Sequence, residues 1–600
     1  MSKLGRREFV YMMAMLGAAP VFANSHTRLA HTGNKPEDYY KLDKFGNVRI
    51  MHMTDCHAQL MPVYFREPSV NLGFHSNYGK PPHIVGDRLL DRYGIKGNKR
   101  LEYAFSCVNF EEHADKMGKV GGFSQLQTVV NYLRDNFGKD NTIFMDGGDT
   151  WQGSWTSLQT RGKDMIGALN KLGVDVCTGH WEFTYKDQEV IDNLKLLDAD
   201  FVAQNVILKE DALFNETEMA ELSHSVQSEA DDGRMFKPYV MREMKGARVA
   251  VIGQAFPYTT IANPAYNMPD WSFGINPDAM QDLVDEVREE EKPDAVIVIS
   301  HNGFDVDQKM AEVVSGIDFI MGGHTHDGVP EAVPVKNSAG VTYVCNAGSN
   351  GKFLNVLDLD VQNGKIKDFK FTLLPIFSDL IPEDPEMKKY VEGVRKPFLK
   401  EINREIATTD VTLFRRGNFN GSWDQIICDA LIDVKGADIS LSPGFRWGTS
   451  ILPGQTITFD DLATQTAMTY PETYARDMSG AMVHEILEDV ADNLFHEDPF
   501  YQQGGDMVRS GGISYTIDPR QQKGKRITNI RLTKNGKPLE AKKMYKVAGW
   551  SVVGSPIDGE PVWETCETYL RNMKHISKID VDTPDMIGVK GNPGIQFGCK

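Results

Sequence analysis

The sequence predicts an α/β fold in two parts, a layered amino-terminal half and an α+β carboxy-terminal half. Three observations carry this. Short apolar runs alternate with stretches of helical period over the first 378 residues. Those runs are cut off, one after another, by Gly together with Asp, His or Asn. The last two hundred residues are punctuated differently, with arginines beside Gly and aromatic residues. Six hundred residues at 41% apolar content suffice for two cores.

The net charge of −18 argues against nucleic-acid binding and for a soluble chain. Gly5-Arg6-Arg7-Glu8-Phe9-Val10 resembles the twin-arginine export consensus, and Val21-Phe22-Ala23 reads as a small-residue cleavage site. The apolar segment between them is too short to span a membrane. Removing residues 1–23 takes away Lys3, Arg6, Arg7 and Glu8, a net +2, and leaves −20. The expected location is therefore the periplasm. Seven scattered cysteines with no C-x-x-C form no recognisable disulfide framework, so a bridge or two is allowed but no pairing follows.

Taken in order, Val48 to Met53 alternates as a strand and ends at Thr54-Asp55-Cys56-His57. Asp55 and His57, at i and i+2, lie on one side of extended backbone and can reach one ion, while Cys56 points to the core. Residues 60–118, rich in Pro, Gly, Tyr and charge, are expected to be a long loop excursion. Gly121 to Phe137 has helical spacing, and the buried strand Thr142 to Met145 closes at Asp146-Gly147-Gly148-Asp149. Val174 to Cys177 leads to Gly179-His180-Trp181-Glu182-Phe183, and Phe201 to Ala203 to Gln204-Asn205. After the strand Val249–Ile252 and the helix Asp278–Glu291, the apolar run Ala295–Ile299 ends at His301. Phe319–Met321 then ends at Gly322-Gly323-His324-Thr325-His326. Carboxyl ends of neighbouring strands are where open α/β sheets place their sites, and these residues are metal-ligand types. Three further strands finish this half, and Asp384–Ile402 reads as a helical linker within residues 379–405, ahead of a second domain over 406–600. There a helix begins near Ser422, and Arg415, Arg416, Arg446 and Arg509 sit at turns. In a chain this acidic they are candidates for binding an anionic group bidentately, the alternative being surface ion pairs.

The ordered set D-x-H, G-G-D, G-H-W-E-F, S-H-N-G and G-G-H-T-H-D is similar to the two-metal, calcineurin-like phosphoesterase domain of the 5′-nucleotidase superfamily, and the second half resembles that family's substrate domain. The resemblance implies two ions sharing Asp149. One would be held by Asp55, His57, Asp149 and His326, and the other by Asp149, His180, His301 and His324. The sequence departs from the nucleotidase pattern G-N-H-E-F-D in one place. His180 stands at the Asn position, and Trp181 and Thr184 replace the catalytic His and Asp. The string from Asp55 to Gly73, with G-H-W-E-F-T-Y and the twin-arginine motif, resembles the sulfate thiohydrolase (SoxB) branch of that superfamily.

What this implies is hydrolysis of a cysteine-bound thiosulfonate on the SoxYZ carrier protein, releasing sulfate by a hydroxide held between two divalent ions, expected to be Mn2+. Asp149 and His180 would be catalytic. Arg446 with Trp447, and Arg415, Arg416, Arg509 and Trp181, would line the substrate site. Zinc or iron would suit the same donors. A monomer without nucleic-acid partners or a membrane span is expected. The alternatives are a periplasmic 5′-nucleotidase or broad phosphoesterase, and a catalytically idle metal-binding partner.

Overall fold

The parallel strands of the amino-terminal half all point their carboxyl ends at one edge of a two-sheet sandwich. The computed structural model describes residues 26–28, 40–209, 233–244 and 246–599, so the export motif at Arg6-Arg7 lies outside the described residues. The strands are β1 (Val48–Met53), β2 (Thr142–Asp146), β3 (Val176–Cys177), β4 (Asp200–Phe201), β5 (Tyr239–Met244), β6 (Ala247–Gln254), β7 (Ala295–Ser300), β8 (Phe319–Gly322), β9 (Val333–Lys336), β10 (Val341–Asn346), β11 (Phe353–Gln362) and β12 (Lys365–Pro375). The first sheet runs β12-β11-β1-β2-β3-β4, parallel from β1 to β4. The second runs β9-β10-β8-β7-β6-β5, parallel through β10, β8, β7 and β6.

Burial on both faces explains the nearly continuous apolar runs. In the second sheet Val249, Val251, Ile297, Ile299 and Met321 join the core shared with β1 and β2. The alternate residues Ala250, Ile252, Val296, Val298 and Ile320 pack instead with Met280, Leu283, Val284 and Val287 of the helix Pro277–Glu290 and with Phe304 and Met310 of the helix Phe304–Val313. Period-two geometry thus sends one set to the sandwich centre and the other to its helical cover.

The excursion expected as loop over 60–118 contains three short helices, Gly86–Arg92, Lys99–Phe105 and Phe110–Met117. Phe110–Met117 buries one stripe, Phe110, His113, Ala114 and Met117, whereas Lys99–Phe105 is held by packing on more than one side, with Leu101, Tyr103, Ala104 and Phe105 all buried. The excursion also reaches the far end of the chain. Val70 bridges to Ile595, the Val85 amide donates to the Pro593 carbonyl at 3.0 Å, and Cys107 is disulfide-bonded to Cys599. The remaining five cysteines are free and buried, Cys56 among them.

The linker is not one helix. Helix Pro385–Arg395, capped by Asp384, gives way to a 3-10 turn at Lys396–Phe398 and a short helix Leu399–Ile402. Pro397, lacking an amide proton, sits where the α-helix stops. Beyond it a four-stranded sheet pairs Ile439–Ser442 with Met544–Trp550 and Arg509–Gly511, with Thr473–Ser479 at its edge. Two cores flank that sheet, and amino-terminal residues enter both. Trp155, Leu158 and Trp181 join one, and Leu72 joins the other.

Candidate metal centre

Seven side chains from the strand ends meet in two groups: Asp149, His180, His301 and His324, and Asp55, His57, Asp149 and His326. Within each group one donor atom per residue lies within 4.8 Å of the others, and all are buried. Asp55 and His57 follow β1, Asp149 follows β2, His180 follows β3, His301 follows β7, and His324 and His326 follow β8. Asp149 belongs to both groups. Its Oδ2 lies 3.1 Å from His301 Nε2 and 3.7 Å from His57 Nε2, and its Oδ1 lies 3.1 Å from His180 Nδ1. Asp55 Oδ1 lies 3.2 Å from His326 Nε2.

Five of these residues, Asp55, His57, Asp149, His324 and His326, have left-handed backbone, φ between 44° and 72°. Non-glycine residues seldom adopt it, and such strain persists where surrounding structure imposes it. Here interlocking loops do so. The Asp55 amide donates to the Gly148 carbonyl and the His57 amide to the Asp149 carbonyl, each at 2.8 Å, while His301 Nδ1 meets the Gly147 carbonyl at 2.6 Å.

Electrostatics prepare the imidazoles as ligands. Burial pushes His57 down to about 4, and pushes His324 and His326 well below the ordinary histidine range. Burial likewise lowers His180. These rings stay neutral at pH 7 with their lone pairs available, the form a metal needs. His301 alone is held up, at about 10, because Asp149 and Asp55 outweigh its burial. Burial works against the ionised Asp149 carboxylate, yet His180 and His301 keep it well below the usual range. Two buried ring nitrogens, His324 Nδ1 and His326 Nδ1, have no hydrogen-bond partner. Neutral imidazoles, two carboxylates and orphaned buried nitrogens fit a pair of divalent ions of the Mn2+, Zn2+ or Fe2+ class.

The carboxy-terminal half closes over this cluster. Trp447 stacks on His57 with centroids 5.8 Å apart and meets Trp181 at 4.7 Å, and Phe445 and Tyr470 flank Trp181 at 5.1 and 6.2 Å. Of the four candidate arginines, two reach the histidine loop. Arg446 donates to the His324 carbonyl at 3.5 Å, and Arg416 donates to the Thr325 carbonyl at 2.9 Å. Arg415 and Arg509 are not brought there. Arg415 is paired with Asp424 at 2.8 Å and Arg509 with Asp506 at 2.8 Å, inside the carboxy-terminal domain. A buried guanidinium must be paired, and these carboxylates fulfil that need.

Sequence reasoning missed several neighbours. Phe256 stacks on His324 at 4.3 Å, and Asn263 Nδ2 lies 3.3 Å from His180 Nε2. Both lie in the aromatic, proline-rich loop after β6, whose composition was the available signal. The Gln503 carbonyl, 3.3 Å from His324 Nε2, gave none. Asn205, at the end of β4, is not a ligand: its amide donates to Ala255 and Gly274 and ties the sheets together.

Residues 404–564 match the family model of the 5′-nucleotidase C-terminal domain. The Bos taurus 5′-nucleotidase is 23% identical over 486 residues, which is 73% of this chain and 78% of that protein. The Bacillus subtilis trifunctional nucleotide phosphoesterase YfkN is 25% identical over 473 residues, 73% of this chain but only 31% of that protein's length. The structure of a Thermus thermophilus sulfate thiohydrolase SoxB in complex with glycerol superposes with a TM-score of 0.83 at 30% identity, covering 92% of this chain and 98% of that one. The chain belongs to the 5′-nucleotidase superfamily. Within that superfamily it is a two-domain α/β hydrolase, with a phosphoesterase-type amino-terminal domain and a candidate two-metal site.

Proposed function

We propose that the protein hydrolyses a thiosulfonate carried on a cysteine of a carrier protein of the SoxYZ type, releasing sulfate during thiosulfate oxidation. The reading rests on Trp181. Where the nucleotidase pattern has a catalytic histidine, this indole is buried among Trp447, Phe445 and Tyr470, and the Trp181 amide donates to Asp149 Oδ1 at 2.8 Å. No proton donor stands there to assist a departing alkoxide. A persulfide is a far weaker base and leaves without that help. The likeness to the Thermus thermophilus sulfate thiohydrolase along nearly the whole chain supports the same substrate class.

In the reaction, the bond between the sulfonate sulfur and its neighbouring sulfur breaks. The new S–O bond comes from water, the persulfide keeps the electron pair, and both water protons pass to solvent. Asp55, His57, Asp149 and His326 would hold one ion, and Asp149, His180, His301 and His324 the other. When bound, such a pair supplies positive charge and acidifies a water molecule. Arg446 presents a planar guanidinium that can meet two sulfonate oxygens at once. Trp181, Trp447, Phe445 and Tyr470 crowd beside the cluster, so the substrate we assign to it is a thin carrier segment and not a folded domain. We place the protein in the periplasm on the strength of Arg6-Arg7, and assign Mn2+ as the working metal.

The test is direct. Purified metal-loaded protein should release sulfate from thiosulfonate-loaded carrier and turn over AMP and nitrophenyl phosphate at least a hundredfold more slowly. Rapid AMP turnover without sulfate release would make it a nucleotidase. Carrier binding without either activity would make it an idle metal-binding partner.

A further inference from the structure

Glu182 lies two residues beyond His180 and is buried in the 3-10 turn Trp181–Thr184. All four of its close partners are backbone amides. Oε2 accepts from His180 at 2.8 Å and from Asp149 at 3.1 Å. Oε1 accepts from Thr150 at 2.8 Å and from Trp151 at 3.2 Å. The lacing is reciprocal, since Asp149 Oδ1 takes the Trp181 amide at 2.8 Å. One carboxylate thus joins the loop after β2, which carries Asp149, to the loop after β3, which carries His180.

Two consequences follow. These buried amides would otherwise lack acceptors, which a folded interior tolerates poorly. The Asp149 amide is also the one whose residue is left-handed, φ 57°, so the bond to Glu182 holds that backbone while the Trp181 amide on Oδ1 orients the shared carboxylate. The same loop receives the Asp55 and His57 amides on its carbonyls. A change at Glu182 therefore reaches ligands of both groups although its side chain belongs to neither.

We propose that Glu182 is the positioning residue of the metal centre: its carboxylate sets the Asp149 and His180 loops in the one arrangement in which Asp149 serves both ions. This rests on the dimetal reading above. Only a carboxylate supplies the needed acceptors. Glutamine in the same place would offer one acceptor oxygen and would aim its own N–H groups at two backbone donors. Aspartate keeps both oxygens but withdraws them by one methylene.

The experiment compares metal-free wild type, Glu182→Gln, Glu182→Asp and Asp149→Ala, each titrated with Mn2+ by calorimetry and followed by amide hydrogen exchange over residues 146–152 and 178–184. Glu182→Gln should exchange at least tenfold faster in both segments without metal and bind Mn2+ at least tenfold more weakly at both positions. Glu182→Asp should show the same pair of effects at smaller size, and decides the matter if Glu182→Gln does not fold. Glu488 supplies the control, because it also accepts two backbone amides, Ile527 and Gly524, but in the carboxy-terminal domain. Glu488→Gln should lower Tm and leave Mn2+ affinity unchanged. Wild-type Mn2+ affinity in both Glu182 variants would overturn the proposal, whatever their Tm. Wild-type binding of two Mn2+ by Asp149→Ala would overturn the dimetal reading instead, leaving the exchange result to report on the loops alone.

Discussion

The Nε2 atoms of His57 and His326 face each other at 3.0 Å in a buried site where both rings are held neutral. Two neutral imidazoles can aim like nitrogens at one another only with a proton or a cation between them. The first prediction follows from Asp149 standing in both groups and His326 in one. Asp149→Ala should lose both ions by elemental analysis, and His326→Ala should lose about one. Two ions at full occupancy in Asp149→Ala would remove it as the bridge.

Arg446 is the most open of the four arginines, its side chain 11% exposed against 4% or less for the others. It also contacts the His324 and Gly505 carbonyls and Asp506. Lysine cannot reproduce that fork. Arg446→Lys should lower kcat/KM for the loaded carrier by about tenfold or more, roughly 1.4 kcal/mol, with metal content unchanged. Unchanged kinetics would move the anion site to Arg416.

Gly504 shows how closely the two domains meet. A Cβ there would stand 2.1 Å from His324 Nε2, on backbone with φ +68°. The adjacent Gly505 has φ +82°, yet its Cβ would meet nothing nearer than the Gly444 carbonyl oxygen at 3.9 Å. Gly504→Ala should displace His324 and cost one ion of the pair, whereas Gly505→Ala carries similar backbone strain and should keep both. Equal metal content in the two variants would show that the contact does not bear on the site.

Asp307 supplies a pH prediction. It is fully buried and accepts from Ser300 Oγ at 2.6 Å and Asn302 Nδ2 at 3.1 Å, and burial raises its carboxyl to about 7. An unfolded aspartate titrates near 3.9, so between about pH 4 and 7 the unfolded chain has released a proton that the folded chain still holds. Stability therefore falls as pH rises through that window, by an amount on the order of a few kcal/mol. Asp307→Asn should abolish this fall. Its Tm should match wild type near pH 4 and exceed it near pH 8, and parallel Tm curves across that range would refute the assignment.

Much of the site was legible because strand ends are abrupt in sequence. Ile143 to Met145, Ala295 to Ile299 and Phe319 to Met321 are apolar almost until the chain leaves the sheet, and the polar residues that follow must then have another reason to be buried. The helices between residues 86 and 117 were less legible. At seven or eight residues each spans only about two turns, too short for its spacing to stand out in sequence, although Asn98, whose side chain accepts the Leu101 amide, and the Phe110-Ala114-Met117 stripe were signals there to be read.

By itself, the sequence showed Asp and His residues gathered at the ends of apolar strands, because ligand chemistry and strand period are local properties, whereas their grouping around two ions and the replaced catalytic pair came from the resemblance to the 5′-nucleotidase superfamily. Only the tertiary structure decided that Cys107 bonds to Cys599, that Arg446 and Arg416 reach the loop carrying His324 and His326 while Arg415 and Arg509 do not, and that Glu182 holds two ligand loops together. Each of these depends on which segments the two cores bring within hydrogen-bond or covalent reach. The separations run to 492 residues for the disulfide and 122 for Arg446 and His324. No local preference encodes such distances; they are set when burial of apolar surface draws the remote segments together.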